Sequence, residues 1–238
     1  MYKLDKQKTA QIRQTLPPIM RTRQITIFFS TIIIFLIWSC NNSAGQESTQ
    51  TNQQNIDTTN AIKIQNLWVT PKKSFEFNSL GRSTSDTISF VTCSKYVYSP
   101  FGQMSKKSDL EKSILKKFSV KNRVDTMDSG VFEFQILEHG QSRLIIFFDG
   151  DPDASARSYI FKGDISDSEV DLIDGIKIGI NKEFFLKTFF ENFPKELMSQ
   201  FNVIVFESCV QDIKHIYTFK ADKLKSINFA SYSDWILN

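Results

Sequence analysis

The chain has 238 residues, 41% hydrophobic and 22 of them phenylalanine, with 29 lysines and arginines against 26 acidic residues and a formal net charge of +3. That much apolar material supplies a core and excludes a wholly disordered chain. Two histidines and three cysteines, without H-x-x-x-H or C-x-x-C spacing, exclude the common metal-site motifs.

In chain order, residues 1–39 come first. A basic start at Arg21 and Arg23 is followed by an apolar run from Ile25 to Trp38, shorter than the roughly 20 residues a spanning helix needs. It reads as the core of a signal peptide, with translation starting at Met1 or at Met20. Its end, Ile37-Trp38-Ser39-Cys40, resembles the lipobox of bacterial lipoproteins. The resemblance implies cleavage before Cys40, acyl chains on Cys40, and a lipid anchor in the membrane. Asn41, rather than aspartate, follows the cysteine, which by the same resemblance implies the outer membrane with the domain facing the periplasm. The alternative is an uncleaved N-terminal anchor with Cys40 a bystander.

The leader carries Lys3, Lys6, Lys8, Arg13, Arg21 and Arg23 against Asp5, a net +5, so the +3 of the whole chain becomes −2 from Cys40 onward. The basic character belongs to the leader, and the main argument for nucleic-acid binding goes with it. Residues 40–60 follow as a polar stretch rich in Asn, Gln, Ser and Thr. Such a segment buries too little to offset its ordering entropy and reads as a tether.

Residues 61–238 are expected to form one α+β domain. With Cys40 committed to lipid, Cys93 and Cys209 remain, either bridged in an oxidising compartment or buried as free thiols. Strands are expected at Ser74–Phe77 and Thr87–Tyr98 from their β-branched and aromatic content. Ser108-Asp109-Leu110-Glu111 has the form of a capping box, and Leu110, Ile114, Leu115 and Phe118 recur at helical spacing, predicting a helix over 109–118. Val131 to Leu137 and Arg143 to Phe148, separated by a turn with Gly140, predict a hairpin, and a third strand is expected near Arg157 to Phe161. A second series follows. Asn181 offers an N-cap to a helix whose apolar face is Phe185, Leu186, Phe189, Phe190 and Phe193, ended by Pro194. A short helix near Glu196 to Phe201 and three more strands complete the chain. The recurrence suggests half-repeats over about 87–165 and 166–238, and an antiparallel sheet with helices packed on one face in two tandem helix-plus-meander modules.

The string Gly175 to Pro194, GIKIGINKEFFLKTFFENFP, looks like the strand, glycine turn and helix that open small outer-membrane-assembly lipoproteins of the BamE/SmpA type. The duplicated helix-plus-meander order is similar to β-lactamase inhibitory proteins. Both resemblances imply a binding scaffold and transfer no functional residue.

Chemistry is sparse. Asp149, Asp151 and Asp153 alternate as in a calcium loop, but Ala154 and Ile160 stand where an EF-hand needs glycine and glutamate. A looser metal site at these three aspartates and a solvated turn are the two readings, and the turn is preferred. From Asp149 to Asp174, eight acidic residues face only Arg157 and Lys162, a net −6, which would either steer a basic partner or form an exposed loop. Ser113 and Lys116 match S-x-x-K without its companion motifs, and neither a G-x-S-x-G nor a phosphate-binding glycine loop occurs. His139 is placed in a turn and His215 at a strand start. No catalytic residue and no cofactor is assigned. The expected function is a lipid-anchored protein-binding module with a role in envelope assembly, inhibition or immunity. The alternatives are an envelope hydrolase built on Asp149, Asp151 and Glu169, and a lipoprotein sensing calcium or a small ligand.

Overall fold

The computed structural model describes residues 60–127, 130–148 and 158–231. Among these residues twelve strands form two sheets. The small sheet holds β1 (Ile62–Ile64), β2 (Leu67–Pro71) and β9 (Phe190–Asn192), in the order β1-β2-β9. The large sheet is built from β3 (Phe77–Leu80), β4 (Thr87–Thr92), β5 (Ser119–Met127), β6 (Gly130–His139), β7 (Ser142–Phe147), β8 (Ile160–Ile165), β10 (Val203–Ser208), β11 (Ile213–Lys220) and β12 (Lys223–Ser231). Its order is β3-β4-β10-β11-β12-β8-β7-β6-β5. Among the described residues the one parallel pair is β4 with β10, in register from Thr87↔Val203 to Thr92↔Ser208.

Two meanders therefore lie side by side in one sheet: β10–β12, and β5–β8, joined through antiparallel β8 and β12. In β11 the alternation is complete, with Ile213, His215, Tyr217 and Phe219 buried between half-buried neighbours, as period-2 side chains on a pleated sheet require. Central β10 instead buries the run Ile204, Val205 and Phe206, with strands β4 and β11 on its two edges.

Of the helices α1 (Lys95–Tyr98), α2 (Lys182–Phe189) and α3 (Lys195–Gln200), only α2 has two full turns. The Asn181 side chain accepts from the Glu183 amide at 2.7 Å and starts α2. Its apolar face lands on the large sheet: Phe185 lies parallel to Phe206, ring centroids 5.7 Å apart, and against Tyr217 at 4.6 Å and Phe219 at 5.3 Å. After Phe189 the chain straightens, and Phe190 reaches Phe75 and Phe90 at 5.2 and 5.0 Å, so the small sheet closes the same aromatic core. Lys182, 1% exposed, is held by the Met198 carbonyl (3.1 Å), the Asn202 side chain (3.2 Å) and Asp222 (3.1 Å). A buried ammonium is tolerated because all three of its protons find acceptors.

The expected α+β architecture is corrected by these elements. Strands take 48% of the described residues and helices of all kinds 21%; the fold is mostly β, with a mixed nine-stranded sheet. The helix predicted over 109–118 is a pair of 3-10 turns, Lys107–Lys112 and Ile114–Lys117, broken at Ser113. Ser113 caps the second turn, its hydroxyl accepting from the Leu115 amide at 3.0 Å. Only Leu110 and Leu115 of the apolar set are buried within these turns, so burial of single side chains prevails over helical period. The first meander has no long helix of its own, so two equivalent helix-plus-meander modules are not present among the described residues.

Candidate interaction surface

β5 is the outermost strand of the large sheet, nine residues long. Among the described residues it has one strand neighbour, β6, in register from Ser119↔Glu138 to Met127↔Gly130. At the usual rise its free edge presents about 30 Å of backbone. Along the hairpin Val120, Val124 and Val131 stand in solvent, 43%, 61% and 69% exposed. Val131 pairs with Thr126, which puts it diagonal to Val124 on one face, so the two valines form a small apolar patch. On the other face the charges are spent locally: Lys121 on Glu138 at 2.7 Å and Arg123 on Asp125 at 2.9 Å. The Lys121 ammonium, by hydrogen bond and charge, holds the Glu138 carboxyl below its ordinary pKa.

Sequence reading missed this strand. Ser119 to Met127 carries no large apolar side chain except two valines spaced by four and the terminal Met127, and most of its residues are exposed. The available signal was the period-2 set Val120, Asn122, Val124, Thr126 facing the period-2 set of β6 across Asp128-Ser129-Gly130.

The residues singled out for chemistry are placed as follows. Cys40, Asp149, Asp151 and Asp153 lie outside the described residues. Cys93 and Cys209 are joined by a disulfide, Cα atoms 5.2 Å apart, just past the matched ends of parallel β4 and β10. Glu169 is exposed, with a carboxylate oxygen 3.6 Å from His139. Other members of the acidic run are engaged. Asp167 accepts from the amides of Gln141 and Ser142 (2.9 and 2.8 Å) and from the Ser142 hydroxyl (2.6 Å). These bonds, the Ser142 hydroxyl foremost, keep its carboxyl below the usual range and clamp the β6–β7 turn, where Gly140 takes φ +55°. Asp164 accepts from Asn228 at 2.7 Å, and Asp171 pairs with Lys177 at 3.6 Å. Among the described residues no group of three His, Cys, Asp or Glu is arranged to hold a metal.

One polar trio could look catalytic. The Ser89 hydroxyl donates to Glu207, which pairs with Lys214 at 2.9 Å. Burial pushes the Glu207 carboxyl up, but Ser89 and Lys214 more than offset that and leave it lowered. An ammonium bound to a carboxylate is no base, and Ser89 is 1% exposed, so the trio fastens β4 to β10 and β11.

His215 is wholly buried, its Nδ1 3.2 Å from the Tyr217 hydroxyl, which donates to Tyr96 at 2.9 Å. Burial drives its pKa down to about 3, opposed in part by the Val97 backbone, and raises both tyrosines far above their ordinary value. These groups stay neutral and have no path to a substrate. A shallow cleft of about 290 Å³ lies beside Tyr98, lined by Lys95, Gln103 and Ile173. No helix among the described residues is long and apolar enough to cross a membrane. Comparison with protein-family models, with curated proteins and with solved structures finds no match to this chain.

Proposed function

We propose that the protein is a protein-binding module tethered to the outer membrane by lipid on Cys40, facing the periplasm, and that its partner adds to the edge of β5. The observation that carries this reading is the nine-residue edge of β5, which no strand of the described residues covers, with Val124 and Val131 exposed beside it. Unpaired edge strands recruit extended segments through main-chain hydrogen bonds, with side-chain pockets or patches adding specificity. The lipobox-like Ile37 to Cys40 and the polar stretch over 40–60 support the tether.

The test uses the full chain in its native envelope, crosslinked and purified, with partners read by mass spectrometry. Val124→Lys with Val131→Lys is expected to remove a partner that the unaltered chain retains, without changing the melting temperature of the purified protein. Cys40→Ser is expected to abolish acyl labelling and release the protein from the membrane fraction. Retention of the partner by the double lysine variant overturns the edge assignment, and continued acyl labelling of Cys40→Ser overturns the anchor.

A further inference from the structure

The two 3-10 turns that lead into β5 carry an uneven charge. Lys106, Lys107, Lys112, Lys116 and Lys117 stand against Asp109 and Glu111, a net +3 over residues 106–117, in a chain that is −2 from Cys40 onward. One of the two acids is spent on its own turn: the Asp109 carboxylate accepts from the Ser105 and Lys106 amides at 2.9 and 3.2 Å. Lys107 pairs with Glu133 at 3.5 Å. Lys112, Lys116 and Lys117 are exposed and make no ion pair with another described residue.

These lysines stand on a layer that is fixed from below. Leu110, Leu115 and Phe118 turn into the main core, 3%, 1% and 6% exposed. The Lys107–Glu133 pair holds the first turn near the start of β6, and Phe118, 5.4 Å from the His139 ring, holds the end of the second near the end of β6. Glu133 and His139 are about 20 Å apart at the rise of a strand, which sets the length of the layer. Its middle is pinned at Ser113, whose hydroxyl donates to the Leu110 carbonyl at 2.8 Å and accepts from the Leu115 amide at 3.0 Å. Ile114 is thereby left 43% exposed between Lys112 and Lys116, although Leu115 beside it is buried.

An apolar side chain flanked by unpaired ammonium groups fits a partner that is anionic at its surface and apolar beneath. A bilayer containing anionic phospholipid is both. Nucleic acid matches the charge alone. Surfaces that bind single strands stack bases on exposed aromatic rings, and the one aromatic residue over 106–118, Phe118, is buried. The tether proposed above brings a bilayer within reach, and the choice of a membrane rests on that reading.

We infer that the face formed by Lys112, Ile114, Lys116 and Lys117 docks on anionic phospholipid headgroups, with Ile114 entering the headgroup layer. Each lysine brought to such a surface strengthens binding about fivefold. In the unaltered full chain, acetylation read by mass spectrometry reports each lysine separately. On vesicles containing phosphatidylglycerol, Lys112, Lys116 and Lys117 are expected to react about threefold more slowly than on phosphatidylcholine alone. The exposed Lys195 and Lys225 are expected to keep their rates. About 1 M salt, which cuts the Debye length to about 3 Å, is expected to abolish the difference. Equal rates on the two kinds of vesicle overturn the inference. Equal slowing at Lys195 and Lys225 does so too, because attachment elsewhere on the chain then accounts for the protection. A DNA oligonucleotide at matched phosphate concentration that protects the three lysines as well as the vesicles do also overturns it, in favour of a nucleic-acid surface. A second arm reads depth. Ile114→Trp, in a full chain with Trp38→Phe, Trp68→Phe and Trp235→Phe, is expected to be quenched by brominated acyl chains in anionic vesicles only. Adding Lys112→Glu, Lys116→Glu and Lys117→Glu is expected to remove that quenching without changing the melting temperature. Absence of quenching in anionic vesicles, or quenching that survives the charge reversal, overturns the inference. All these readings are expected to hold with Cys40→Ser and need no protein partner, so failure here is separable from failure of the anchor or of the β5 edge.

Discussion

The meanders β10–β12 and β5–β8 share one sheet but differ in what lies on them. Over β10 and β11 the α2 face places Phe185 and Phe189 against Phe206, Tyr217 and Phe219, and the Cys93–Cys209 bridge fastens β10 to β4. Toward β5 this cover runs out. Phe134 still finds neighbours on the outer face, but Val124 and Val131 at the end of the hairpin meet water. The same local strand chemistry thus yields a fixed, aromatic end and an unfinished, open end. The difference assigns stability to the first and, under the proposed function, recognition to the second.

Substitutions separate the two ends. Phe185→Ala removes a fully buried ring that touches four aromatic neighbours, and should lower unfolding free energy by about 3–5 kcal/mol, read by urea denaturation. A loss below about 1 kcal/mol would mean that α2 is not the keystone of that end. Replacing Cys93 and Cys209 by alanine opens a link across 116 residues and should cost about 2–5 kcal/mol, with no effect on partner capture through β5. Acid should also act on the aromatic end. His215 titrates at about 3 when folded, from an ordinary value of 6.5. Below pH 6.5 the unfolded chain takes up a proton that the folded chain refuses, so this stability is complete above that pH and is lost as pH falls toward 3. The slope is up to about 1.4 kcal/mol per pH unit. His215→Phe should flatten the fall in melting temperature between pH 7 and 5, a window above the carboxylate titrations. The smallest stability effect belongs to the open end: Val124→Lys with Val131→Lys should change unfolding free energy by less than about 0.5 kcal/mol each, while partner capture disappears.

Much of the large sheet was legible in the chain. Val131 to Leu137 and Arg143 to Phe148 did form a hairpin about Gly140, and the three strands after Phe201 stand as β10, β11 and β12. In these segments alternation and β-branched content agree with burial. The cap at Asn181 and the face of Phe185, Leu186 and Phe189 were readable for the same reason, although Phe190 leaves the helix to pair with β2. The segment over 109–118 misled because Leu110 and Leu115 are buried individually from 3-10 turns, where helical spacing has no meaning. β5 escaped because an edge strand with both faces wet needs no hydrophobic code. The Ser142–Asp167 clamp was hidden for another reason: it joins residues 25 apart, and Asp167 was read as one charge in an acidic run. The parallel pairing of β4 with β10, which makes one sheet of the two series, depends on contacts across more than a hundred residues that no local pattern encodes.

The most direct measurement places a photo-activated crosslinking residue at Val124 and, separately, at Val210 in the full chain, and irradiates native envelopes. Val210 is 73% exposed and lies in the β10–β11 turn, so it samples the fixed end with equal access to solvent. A discrete adduct from position 124 and none from 210 is the predicted result. An adduct from 210 with none from 124, or none from either, would contradict the assignment of recognition to the open edge.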